Sequence, residues 1–367
     1  MKTLQQVKDE LRNYDGRELK IMEVCGTHTA SIFKNGIRSL LSPNIKLISG
    51  PGCPVCVTAT DYIDQLVDYS LRENHRVLSF GDMMKIRGSR MSLTGAKAAG
   101  GSVQILYSPL SAIRLAMEDR NTQFIFAAIG FETTTPIYAL MLEEIIKNGI
   151  DNLKLLVSVK ATIPALTYIC ENEKDIDGFL CPGHVSVITG SKVYRELAQR
   201  YHKPFVVAGF EGEHILAAVS EIVSQISHGQ YRAKNMYVSA VSEEGNTKAT
   251  ELVNKYFEPA SDQWRGIGII ENSALKLKKE YSRYDAGYSE ETAGSEAKSK
   301  LSLNPEQAAE APELTTKGCR CRDVILGRIN PPECPLFQTV CSPFQAVGPC
   351  MVSTEGACGI WYKNREV

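Results

Sequence analysis

The sequence lacks most of the features that assign a chain to a functional class at first reading. It has no surplus of charge: 41 Lys and Arg stand against 42 Asp and Glu, for a formal net charge of -1. Nothing electrostatic therefore recruits nucleic acid or an anionic membrane surface, and neither is expected as a partner. The amino-terminal run MKTLQQVKDELRNYDG has no apolar h-region. The most apolar later window, IFAAIGFETTTPIYALML, is interrupted by Glu132 and a TTTP run. Neither a signal peptide nor a membrane span is read, and a cytoplasmic protein is expected. GxGxxG and the P-loop are both missing; VSVITGSK carries its GSK at the wrong distance from Gly183, which disfavours dinucleotide binding. A second CxxC is missing too, so Cys53 and Cys56 cannot be one half of a paired zinc knuckle.

What the chain does have is cysteine and repeated strand-to-loop junctions. Its 367 residues, 43% of them hydrophobic, suffice for two or three cores. Eleven cysteines in a reducing compartment point to metal or redox chemistry rather than structural disulfides. Over the first 210 or so residues, short β-branched or apolar runs lead into sharp loops and then into helical periods. The pairs are LKIMEV before CGTH, IKLIS before GPGCPVC, RVLSF before GDMMK and FIFAAI before GFETTTP; LKLLVSV before KATIP, GFL before CPGHVS and PFVVA before GFEGEH follow. Alternating strands and helices give an α/β fold with parallel sheets, whose ligand loops gather at the carboxyl ends of the strands. The echo of AIGFE in VAGFE brackets one α/β unit over 123–225. A break at MEDRNT closes another over 18–122. NMYVSAV and GIGII read as strands and SALKLKKEY as a helix. The polar stretch from YDAGYSEE to LTTKG reads as a surface excursion or linker.

The tail is a different kind of module. Cys319, Cys321, Cys334, Cys341, Cys350 and Cys358 are interleaved with Pro331, Pro332, Pro335, Pro343 and Pro349. Proline at that density forbids long helices and central strands, so another device must fix the loops. Structural zinc would use four thiols and leave two without a job. A four-cysteine iron–sulfur cluster with an adjacent redox pair uses all six, and is preferred.

In the first half, GPGCPVC follows a strand and precedes the helical run TATDYIDQLVDYSLREN, putting Cys56 near a helix amino end that favours thiolate. A CxxC in such a loop signals redox or soft-metal chemistry, with Cys25 as a third sulfur and His28 three residues on. Each of these, like Cys181, His184, Glu132 and Glu211, has a plainer reading as a packed or helix-capping residue. Their common place in the ligand loops raises them above it. Cys170, on the apolar run IPALTYIC, is read as core.

Together MEVCGTHTASIFKNGI, GPGCPVCVT, GFETTTP, CPGHVS, GFE and the six-cysteine tail resemble the HypD family of [NiFe] hydrogenase maturation proteins over nearly the whole chain. The resemblance implies two Rossmann-like α/β/α domains and a third domain, here 1–17 with 226–367, built from both chain ends and holding a [4Fe-4S] cluster. It implies a HypC-type small chaperone on which an Fe(CN)2CO unit is assembled, and a HypE-type donor charged with cyanide by HypF. Such a protein is a redox-active assembly scaffold more than a conventional turnover enzyme. By the same likeness Cys25 would bind the nascent iron together with a chaperone thiol, Cys53 and Cys56 would be the redox pair beside it, and His28 belongs to that motif. Cys319, Cys334, Cys341 and Cys358 would hold the cluster, with Cys321 and Cys350 as the dithiol against it. The chain departs from the family pattern at Ala30, where many members carry a second histidine, and at Gly212–Glu213–His214, where many read Pro-Leu-Asp. A histidine at position 30 is therefore no essential iron ligand here. An iron–sulfur-dependent protein disulfide reductase is the alternative function, and a zinc-stabilised binding module a third.

Overall fold

The computed structural model describes residues 2–287 and 318–364. Its strands are β1 (Leu19–Glu23), β2 (Ile45–Ser49), β3 (His75–Ser79), β4 (Val103–Ile105), β5 (Gln123–Gly130), β6 (Leu153–Lys160), β7 (Gly178–Pro182), β8 (Phe205–Ala208), β9 (Ala233–Asn235), β10 (Phe257–Trp264) and β11 (Gly268–Leu277). They form two sheets in two compact units, each assembled from separated pieces of chain.

The first unit comprises Met1–Cys56, Ile163–Thr247 and Gly318–Val367. Its sheet runs β2-β1-β7-β8-β9, parallel throughout, with Leu19 opposite Ile45, Ile21 opposite Gly178 and Phe179 opposite Phe205. β7 and β8 are buried along their whole length, the pattern of strands covered on both faces. The Leu4–Arg12 helix, started by a Thr3–Gln6 capping box, sends Val7 and Leu11 into the core of this sheet. Ile215, Leu216, Val219 and Ile222 of the Gly212–Ser227 helix meet them there. Strand order reverses between β1 and β7, because β2 lies on the far side of β1. Such a switch point opens a crevice at the strand ends, and the loops bordering it begin at Cys25 and Gly183.

The second unit comprises Val57–Thr162 and Lys248–Lys317. Its sheet runs β10-β11-β6-β5-β3-β4, with β6, β5, β3 and β4 parallel and the β10–β11 hairpin added antiparallel on β6. Phe124, Phe126, Tyr138, Met141, Leu142 and Leu153 form the centre of its core.

The α/β class and the parallel sheets are as expected, and every strand run read before residue 210 is a strand. The structure divides the chain differently from the contiguous boundaries at 122 and 225. β1 and β2 pair with β7 and β8, whereas β3 to β6 form the other sheet, so 18–122 and 123–225 each contribute to both units. Backbone pairing of β1 with β7 has no local signal, and the AIGFE and VAGFE echo therefore spans two sheets. Both chain ends lie in the first unit with its sheet, where residues 1–17 and 226–367 had been expected to make a third domain. SALKL is not helical: it completes β11, with Leu275 paired to Val159 and Pro259, and a 3-10 turn follows at Lys279–Tyr284. Sheet pairing outweighs its helix propensity. NMYVSAV is strand only at Asn235, the last residue of β9, and β4 and β10 gave too little alternation to be read. Most of the expected linker falls outside the described residues.

Candidate functional site

The chemistry-bearing residues of the first unit collect around two small pockets. Cys25 is the N-cap residue of the Gly26–Lys34 helix, directly after β1. Its half-buried thiol is pushed up by burial, while the Thr27 hydroxyl and the N–H groups of Thr27 and His28 at the helix start favour the thiolate. The nearby Glu355 carboxylate acts against ionisation. Cys53 and Cys56 are joined in a disulfide and almost fully buried. The Cys56 N–H donates to the Cys53 sulfur at 3.2 Å. Cys56 lies inside a separate short helix, Pro54–Val57, and not at the start of the Thr60–Ser70 helix as its sequence context had suggested. The dithiol loop and the Cys25 loop are pressed together at Gly52, where a Cβ would sit 2.7 Å from Cys25 Cα and 2.8 Å from the Val24 carbonyl.

The first pocket is bordered by Thr29, Ser49, Cys53, Cys56, Cys350 and Glu355, so the disulfide and one tail cysteine share a wall. The Cys56 sulfur stands 3.9 Å from the carbonyl of Pro349, the residue before Cys350. The second pocket is lined by all six tail cysteines, with Val324, Leu336, Phe337 and Met351 among its apolar residues. Within it the Cys350 sulfur is hydrogen-bonded with the thiols of Cys321 and Cys358 and with the N–H groups of Ala357 and Cys358. Those contacts pull the Cys350 thiol down and push Cys321 and Cys358 up. Burial raises Cys319 to about 11. A Cβ at position 348 would lie 2.7 Å from the Cys319 sulfur, so a side chain there would displace that thiol. The Val347 N–H points to the Cys341 sulfur at 3.4 Å.

Among the described residues no three His, Cys, Asp or Glu side chains stand in ligating positions; the tail sulfurs are turned to each other instead. The donor set nonetheless fits a [4Fe-4S] cluster in number and kind: six soft sulfurs on one apolar pocket, where four suffice.

His28 and His184 border the β1–β7 crevice. His28 is fully buried, its Nε2 3.1 Å from the Gly209 carbonyl, and burial lowers it to about 4, so the ring is neutral. Its ring and that of His184 pack on Phe210 at 4.7 and 4.0 Å. Glu211 occupies the N-cap position of the Gly212–Ser227 helix but makes no side-chain cap there, and it is exposed. Glu132 belongs to the second unit, where its carboxylate accepts from the Thr162 N–H at 2.6 Å and the Thr162 hydroxyl at 2.8 Å. That is the capping role of the plainer reading. Cys170 and Cys181 are buried, their thiols pushed up by burial, Cys170 to about 12. Sequence reasoning passed over Glu355, whose backbone packs so closely that a Cβ on Gly26 would meet its carbonyl at 2.3 Å. The STEGAC run, between two tail cysteines, was the available signal.

These features define an α/β protein whose cysteine-rich tail packs beside the loops at the carboxyl edge of one parallel sheet. A family model described as HypD, hydrogenase formation hypA family, matches residues 1–365. The hydrogenase maturation factor HypD of Escherichia coli K12 is 38% identical over 352 residues, covering 95% of this chain and 90% of that protein. The HypD of Azotobacter vinelandii is 37% identical over 354 residues, 94% of this chain and 89% of that protein. The chain belongs to the HypD family, whose named members are hydrogenase maturation factors. Among the described residues no helix is long and apolar enough to cross a membrane.

Proposed function

We propose that this chain is a hydrogenase maturation factor on which the Fe(CN)2CO unit of a [NiFe] hydrogenase is assembled, with a HypC-type small chaperone bound and a HypE-type donor supplying cyanide. The observation that carries the redox part is the position of Cys350, which borders both the Cys53–Cys56 pocket and the six-cysteine pocket. Family membership carries the assembly part.

In this reading Cys25 and a chaperone thiol hold the nascent iron as cargo. Burial raises the Cys25 thiol on balance, and Thr27 with the amino end of the Gly26–Lys34 helix offsets part of that cost for the thiolate that a soft iron centre requires. Cys319, Cys334, Cys341 and Cys358 hold the cluster, and Cys321 with Cys350 form the dithiol beside it. A [4Fe-4S] cluster bound there supplies single electrons. The chain's own step is an exchange: the Cys53–Cys56 bond breaks, a Cys321–Cys350 bond forms, and two electrons and two protons move from the second pair to the first. Cys350, the tail sulfur that borders the disulfide pocket, is the attacking sulfur in this reading. The protein works in the cytoplasm, where the thiol pool permits that cycle.

The assignment is tested by infrared spectroscopy of the chain co-purified with its small chaperone. Cyanide and carbonyl bands are expected on the wild-type complex and absent from Cys25→Ala. Bands that persist in that variant would overturn the role of Cys25. Stoichiometric reduction of a target protein's disulfide without any chaperone would instead favour the cluster-dependent reductase.

A further inference from the structure

The redox reading leaves the Glu23–Arg38 ion pair without a role. Arg38 lies in the Ile37–Leu40 turn that follows the Gly26–Lys34 helix. Its Nη2 donates to Glu23 Oε1 at 2.7 Å, and the Glu23 side chain is completely buried. Its Nη1 donates to the Leu47 carbonyl on β2. The guanidinium carbon stands 4.7 Å over the Trp361 ring and 5.4 Å from that of Phe33, and the two rings meet edge to face at 4.8 Å. One side chain therefore grips the last residue of β1, the middle of β2, and the Ala357–Lys363 helix.

Each gripped element leads to a reactive sulfur. Glu23 is followed by the Cys25 loop. Ser49, whose hydroxyl reaches the same Glu23 oxygen at 3.4 Å, borders the pocket of Cys53 and Cys56 and opens their loop. Trp361 lies one turn after Cys358, on the helix whose Ala357 shares that pocket. Burying a carboxylate completely is costly, and in some proteins such buried pairs are retained for registry more than for net stability.

We propose that Arg38 is a positioning residue that sets the six-cysteine tail in register with the Cys53–Cys56 loop, so that Cys350 meets that disulfide. The inference rests on the redox reading above. The role needs a planar, delocalised cation that both forks to oxygen and stacks on indole, which lysine cannot supply.

The test uses the full-length, cluster-loaded protein without oxygen, as wild type, Arg38→Lys and Trp361→Leu, with Cys350→Ser as the control for direct reduction. Free thiols at Cys53 and Cys56 are followed by alkylation and mass spectrometry after addition of dithionite. Iodoacetamide labelling of Cys350 is followed separately in untreated protein. Arg38→Lys and Trp361→Leu are each expected to slow the appearance of those thiols about tenfold or more, as an ångström of misplacement does elsewhere. Both are expected to speed Cys350 labelling, with visible absorbance of the cluster unchanged. Trp361→Leu leaves the Glu23–Arg38 pair intact and so separates register from an unpaired buried charge. Transfer and labelling at wild-type rates in both variants overturn the proposal. If wild type itself shows no transfer beyond Cys350→Ser, the redox reading falls, and the labelling of Cys350 alone decides whether Arg38 positions the tail: unchanged labelling in both variants rejects it.

Discussion

The thiols of Cys321 and Cys350 are hydrogen-bonded to each other, inside a pocket that the other four tail cysteines complete. Cys350 is the tail sulfur that also borders the disulfide pocket. Replacing either partner by serine removes an exchanging sulfur but none of the four assigned to the cluster. Cys321→Ser and Cys350→Ser are therefore expected to keep visible absorbance near about 400 nm, the iron–sulfur range, and to leave Cys53–Cys56 oxidised after reduction of the protein. Cys334→Ala and Cys341→Ala are expected to lose the absorbance. Loss of colour in Cys350→Ser with retention in Cys334→Ala would reverse the assignment.

His28 makes stability depend on pH in a defined direction. Its folded-state value of about 4 lies below the ordinary 6.5, because burial disfavours the imidazolium. Between those values the unfolded chain binds more protons than the folded one, so stability falls as pH drops from 6.5 toward 4 and is fully present above 6.5. The shift corresponds to about 3 kcal/mol over that window. His28→Gln keeps an amide donor for the Gly209 carbonyl but cannot titrate. Urea midpoints at pH 7 and pH 4.5 should converge for the variant and separate for the wild type; equal pH slopes in the two proteins would contradict the burial account.

Gly52 is where two reactive loops are closest. A Cβ there would meet Cys25 Cα, the Cys25 nitrogen and the Val24 carbonyl at 2.7, 2.9 and 2.8 Å, all of them backbone atoms that cannot rotate away. Gly52→Ala must separate the Cys25 loop from the Cys53 loop, at a cost of about 1–3 kcal/mol typical of overpacking. Iron-bound cyanide and carbonyl should be lost from the chaperone complex while the tail absorbance remains, as infrared and visible spectra of one preparation would show. Gly81→Ala is the control, since nothing lies within 4 Å of its Cβ position.

Much of this was legible in the residues, and the illegible part has a physical reason. LKIMEV, IKLIS, FIFAAI and PFVVA announce strands because β-branched and apolar runs of that length bury on both faces. The reactive loops follow from the same signal, since ligand loops sit at strand ends. The pairing of β1 with β7 could not be read, because Ile21 and Gly178 meet through backbone hydrogen bonds that carry no residue code. It was this pairing that moved the unit boundary to Cys56 and Thr162. Glu132 shows the opposite case: a carboxylate in the right kind of loop, whose two oxygens are both spent on Thr162. Arg38 and Trp361 had no motif at all, and their relation exists only once the chain ends are brought together.

The tail is anchored at a second point, which gives a prediction independent of iron. Arg328, just past the Cys321–Ile325 helix, binds the Glu173 carboxylate through Nε at 3.0 and 3.1 Å and through Nη2 at 2.7 Å. The Glu173 side chain is only 7% exposed, whereas that of Arg328 is 42% exposed. Removing the arginine leaves a buried carboxylate whose lost partner was half in water. The usual cost of about 3–5 kcal/mol for breaking a buried pair is then reduced by solvent screening to about 2 kcal/mol. Arg328→Ala should lower the denaturation midpoint accordingly and increase hydrogen exchange in the Cys321–Ile325 helix. Neutralising the carboxylate as well, in Arg328→Ala with Glu173→Gln, should recover most of the stability, because the penalty lies in the unpaired charge. If the double variant is no more stable than Arg328→Ala, the loss came from the arginine's packing and not from the ion pair.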